Sequence, residues 1–130
     1  MKIQIERGAS YCVHAYDAAG VTVARGEQLH TFTAPLVLQA DTAPVAWTVA
    51  AATPPLAAFE ALLEHRPELV IYGSGARLRF PGGAVMQLFH RHGIGFETMD
   101  TFAACRTFNV LSHEGRRVLA ALLVGPLGAG

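Results

Sequence analysis

The sequence predicts a single α/β domain, 1–130, and three observations predict it. From Val45 to Val124 strand-like and helix-like stretches alternate, beginning and ending on a strand. That order builds a sheet covered on both faces. Before it, residues 1–40 read as short antiparallel strands divided by turns. The composition, 52% hydrophobic and 15% charged over 130 residues, supplies ample core for a chain of this size, which needs no disulfide or metal staple.

The N-terminal strands come from alternation. Met1 to Glu6 places Ile3 and Ile5 on one side, and Tyr11 to Tyr16 sets Tyr11, Val13 and Ala15 against Cys12, His14 and Tyr16. Asp17-Ala-Ala-Gly20 turns the chain into Val21–Arg25, a hairpin. Gly26 breaks it. His30–Ala34 and Leu36–Gln39 follow as extended pieces on either side of Pro35, which marks an edge or a bend.

In the second part Val45–Val49 is a candidate strand. Thr53 is placed to cap a helix carrying Pro54 and Pro55 in its first turn and an apolar face of Leu56, Phe59, Leu62 and Leu63. Pro67 stops it. The continuous apolar run Leu69–Tyr72 marks a strand buried on both faces. Arg77–Phe80 is extended or irregular, and a helix follows Pro81-Gly82-Gly83 and ends at Gly93. After a strand over 94–99, Asp100 or Thr101 caps a helix with a buried stripe of Ala104, Phe108 and Leu111, and Gly115 supplies its left-handed exit. Val118–Val124 is the final strand, and the closing GPLGAG reads as a frayed tail.

Ten basic residues balance ten acidic ones, which argues against a broad nucleic-acid footprint. Cys12 and Cys105 stand far apart and read as buried free thiols, as in a reducing cytoplasm. MKIQIERGAS lacks the apolar core of a secretory signal, and no apolar stretch is long enough to span a bilayer. No pair among His14, His30, His65, His90, His92 and His113 has metal-ligand spacing, so no metal or other cofactor is expected.

Two groups of polar residues stand out. Gly73-Ser74-Gly75 follows a strand, where phosphate loops sit, but the third glycine of a dinucleotide fingerprint and the Gly-Lys-Ser/Thr of a Walker loop are absent. A tight turn at a sheet edge is the plainer reading. Glu97, Asp100, Thr101, Arg106, Asn109, His113, Glu114 and Arg116 crowd the last third. Asn109 is able to satisfy backbone groups between helix and sheet, and Glu114 to pair with Arg106 or Arg116. The plainer reading is a hydrogen-bonded network fixing the helix on the sheet; the functional one is a polar rim around a pocket or partner surface. No nucleophile, base and orienting partner come together, so no catalytic residue is assigned.

Asp100-Thr101, Ala104-Cys105, Thr107-Phe108-Asn109, Leu111, His113-Glu114-Gly115-Arg116 and the apolar last strand resemble the Mth-domain family. So do Pro67-Glu68-Leu69-Val70 with Gly73 and Gly75, and Gly93-Ile94. The resemblance covers Val45 to Leu123 and reaches the N-terminal part by pattern only. It implies a three-layer domain with a central mixed β-sheet flanked by helices and an N-terminal antiparallel β extension. It also implies an assembly helper, since the family's mitochondrial branch aids assembly of respiratory complex I. The expected function is therefore a non-enzymatic binding or assembly module with a protein partner. The alternative is a small-molecule binder or enzyme using a pocket near the Gly73–Gly75 turn, with Glu97 or Asp100 as acid or base.

Overall fold

The computed structural model describes residues 10–125. The predicted Met1–Glu6 strand and all but the first residue of the GPLGAG tail lie outside them.

Among the described residues eight strands and three α-helices follow one another as β1 (Tyr11–Tyr16), β2 (Val21–Arg25), β3 (Gln28–Phe32), β4 (Leu36–Gln39), β5 (Thr42–Ala46), α1 (Leu56–Glu60), β6 (Leu69–Gly73), α2 (Gly83–Arg91), β7 (Gly95–Met99), α3 (Thr101–His113) and β8 (Val118–Leu122). A 3₁₀ turn, Ala61–His65, continues α1. The central sheet runs β5-β4-β8-β6-β7, and a three-stranded sheet runs β1-β2-β3. Strands β8, β6 and β7 are parallel; β4 runs antiparallel to β8, and β5 to β4. The sheet is thus mixed. Leu36–Gln39 belongs to it and not to the N-terminal sheet.

β6 and β8 carry unbroken apolar runs because both their faces are covered. On one face Leu69, Ile71, Ala120 and Leu122 meet Ala104, Cys105 and Phe108 of α3 and Val13, Val21 and Val23 of the small sheet. On the other Val70, Tyr72, Leu119 and Ala121 meet Phe59, Leu62, Val85, Leu88 and Phe89. This makes three layers, with helices on both sides of the sheet and the small sheet beside α3.

The α3 boundaries follow their predicted chemistry. Asp100 is the N-cap and its Oδ1 accepts from Ala103 N–H at 2.8 Å. Gly115, at φ 89°, turns the chain out of the helix. Leu111 is only half-buried.

Four local expectations are corrected. The strand expected at Val45–Val49 spans Thr42–Ala46, because it pairs with β4 through a two-residue turn, Gln39 opposite Thr42. The chain then leaves the sheet, and Trp47 drops onto the α1 layer, its Nε1–H donating to Ala58 O at 3.0 Å. Thr53 does not cap α1; the helix starts at Leu56 with Pro55 at the N-cap position. A residue before proline is pushed away from helical geometry, and Thr53 and Pro54 both precede one. Cys12 is exposed, whereas Cys105 is buried. In β1 the alternation breaks at a bulge between Val13 and Ala15, so Ala15 faces water and Tyr16 leans on the core instead.

Candidate functional site

Five of the ten candidate residues meet where β6 and β7 end and α3 begins. Thr101, first residue of α3, is 5% exposed. Its hydroxyl donates to Leu123 O at 2.8 Å and accepts from Gly75 N–H at 2.9 Å. Its own N–H donates to Gly75 O at 2.8 Å. One side chain thereby ties the ends of β6, β8 and α3. Gly73 permits this closeness: a Cβ there would stand 2.8 Å from Leu122 Cδ2 and 3.0 Å from Thr101 Oγ1. Gly75 serves a second need, a φ of 97° that a side chain would strain.

Ser74 points inward. Its Oγ donates to Arg77 O at 2.7 Å and accepts from Arg79 N–H at 2.9 Å. It has no histidine or carboxylate among its hydrogen-bond partners. Asp100 completes the group as the α3 cap.

These bonds fill the crevice where a ligand would sit in an α/β fold. What remains is a cleft of about 90 Å³ between Gly75, Ala76, Thr101, Phe102, Leu123 and the Asp17–Ala18 turn. Small-molecule sites run to roughly 300–1,000 Å³.

The other five residues lie elsewhere. Arg106 and Asn109 face β1. Asn109 accepts from Val13 N–H and donates to Val13 O, both at 2.8 Å, as a neighbouring strand would. Arg106 donates to Tyr16 Oη at 2.9 Å, which raises its own pKa. Glu114 and Arg116 lie at the far end of α3. Arg116 faces Glu68 at 3.9 Å, and among the described residues neither it nor Arg106 forms an ion pair with Glu114. Glu97 is exposed on β7, the edge strand. The ten residues therefore do not line one pocket.

Burial accounts for both resolved shifts in the core. It pushes Tyr72 up to about 12 against the opposing charge of Arg79, and Cys105 up to about 12 against that of Arg106. Both groups are neutral at pH 7. Among the described residues no three His, Cys, Asp or Glu side chains gather as a metal site, and no helix is long and apolar enough to cross a membrane.

Two features escaped the sequence. Near the start of β6 and β8, His65, Arg66, Arg116 and Arg117 line a cleft of about 340 Å³ with Gln39 and Ser112. Its residues come from four separate stretches, so no spacing announces it. The second is the loop Arg77–Phe80, where Leu78 is 55% and Phe80 69% exposed. Here the signal was present, as an alternation of arginine with large apolar residues.

The family described as "Protein of unknown function (DUF498/DUF598)" matches residues 13–123. The human NADH dehydrogenase [ubiquinone] 1 alpha subcomplex assembly factor 3 is 46% identical over 67 residues, 52% of this chain and 36% of that protein. The match thus takes in well under half of the curated relative. A Xanthomonas campestris protein solved by NMR is 34% identical, covers 98% of this chain and 96% of its own, and superposes with a TM-score of 0.74. A Bordetella pertussis protein described as a Mth938-like domain is 23% identical, with 93% of this chain and 89% of that one covered and a TM-score of 0.75, which bears on the fold alone.

Proposed function

Because the chain belongs to the DUF498/DUF598 family, the Mth-domain family of the sequence resemblance, we propose that it is a non-enzymatic assembly module that binds a protein partner during construction of a respiratory complex. The observation that carries the proposal is the 46% identity, over 67 residues, to a protein named as a complex I assembly factor.

The geometry supports recognition over chemistry. Ser74 and Thr101 spend their hydroxyls on backbone groups, and Asn109 spends its amide on β1. Arg106, Glu114, Arg116 and Glu97 stay at the surface, where a partner is able to reach them. The alternative, a ligand site beside Gly73–Gly75, has about 90 Å³ to work with. We place the protein in the cytoplasm, where its two free thiols stay reduced.

Deleting the gene in its source cell tests the reading. Native gels of the membranes should then show less assembled complex I and an accumulated subassembly, both reversed by the wild-type gene. An unchanged level of complex I would refute it.

A further inference from the structure

The most exposed large hydrophobic side chain among the described residues is Phe80, and Leu78 stands two residues before it. Exposed apolar groups usually turn inward if the chain allows. Here it does not, because Ser74 Oγ holds both the carbonyl of Arg77 and the N–H of Arg79 from within. Ser74 is itself buried, so the loop is pinned from the core side. Pinning presents Leu78 and Phe80 outward without the ordering cost that a free loop would meet on binding. Beyond Pro81 and Gly82 the chain enters α2, whose Val85, Leu88 and Phe89 are buried and whose Met86, Gln87 and His90 are exposed. A helical side chain leans toward the turn before it, so Met86, 44% exposed, extends the patch toward Phe80.

Along the chain the charge around this patch has one sign. From Leu69 to Phe96 the chain carries Arg77, Arg79 and Arg91 and no aspartate or glutamate. Arg77, at the exposed edge, does not face any acidic neighbour from its own loop or from α2. An aromatic anchor with arginine at its margin is the composition of a binding hot spot. A two-fold contact between copies would set arginine against arginine.

We infer that the Arg77–Phe80 loop and the outer face of α2 form a docking surface for a partner protein segment that presents apolar side chains among acidic ones. The inference rests on the assembly reading and names the surface that reading requires. Phe80 and Leu78 enter the partner's apolar face, and Arg77 meets its carboxylates.

A photo-crosslinking phenylalanine analogue in place of Phe80, and separately of Met86, tests this in the source cell, with adducts mapped by mass spectrometry. The expected adduct is one protein segment in which acidic residues outnumber basic ones, formed from both positions. Adding Arg77→Glu to the position-80 probe should lower its yield several-fold. Phe80→Ser should weaken capture by the Met86 probe at least about tenfold, as loss of an anchor does. Both variants should keep the wild-type melting temperature, since the altered side chains lie in water. Adducts with phospholipid, with a second copy of this chain or with a segment of net positive charge each overturn the inference. So does the absence of adducts from both positions. The gene deletion separates the two ideas: if deletion lowers complex I and Phe80→Ser restores it fully, the surface is wrong and the assembly reading stands.

Discussion

Thr101 shows how one hydroxyl settles the character of the crevice. It bridges a carbonyl of the last strand's extension and an N–H of the Gly73–Gly75 turn. Thr101→Val keeps the shape and removes both bonds, leaving Leu123 O and Gly75 N–H to find other partners. Unfolding in urea should show a loss of roughly 1–3 kcal/mol, the cost of stranding buried polar groups. The cysteines give a second test at this scale. A thiol reagent at pH 8 should label Cys12 in the native protein and reach Cys105 only after denaturation. Cys105 and Tyr72 both have folded pKa values raised to about 12, from 9.0 and 10.0. The folded state holds these protons more tightly, so their contribution to stability is intact below about pH 9 and is lost as pH climbs toward 12. Chemical denaturation at stepped pH should show that decline on the alkaline side.

At the scale of elements, α3 and β1 hold each other through Asn109. Among the described residues the outer edge of β1 has no neighbouring strand, and the Asn109 amide satisfies both backbone groups of Val13. Asn109→Ala should cost roughly 1–3 kcal/mol, read as a lower urea midpoint, and should speed amide exchange at Val13. Arg106→Ala, whose partner is an exposed hydroxyl, should leave the midpoint nearly unchanged. Much of this was legible in the chain. The apolar run 69–72, the Asp100 cap and the Gly115 exit each follow from local chemistry, and all three elements stand where expected. The departures have physical causes that local pattern does not encode. A bulge reverses the facing of half of β1, and consecutive prolines delay α1. The Asn109–Val13 bond joins residues 96 apart, so the sequence offered only the option of a backbone partner and not its identity.

Across the whole molecule, the last strand lies in the middle of the central sheet, between β4 and β6. It joins the antiparallel pair contributed by the N-terminal half to the parallel strands of the rest. The ends of the parallel strands, where α/β folds build ligand sites, are closed by Thr101, Ser74 and the Gly73 contact, while the apolar side chains of the 77–80 loop are left in water. That layout supports the proposal of a body recognised from outside. The resemblance in the last third pointed to the assembly role; the candidate residues quoted for it separate into a buried network and a scattered surface set, a division that only the three-dimensional packing reveals. The most direct test of an assembly role without bond-making uses the two carboxylates that the sequence offered as acid or base. In cells lacking the gene, the doubly altered Glu97→Gln, Asp100→Asn protein keeps a capping side chain at position 100 and removes both carboxylates that the sequence offered as acid or base. Assembled complex I measured on native gels should return to the level given by the wild-type gene; a protein of normal stability that leaves complex I at the deletion level would contradict the account.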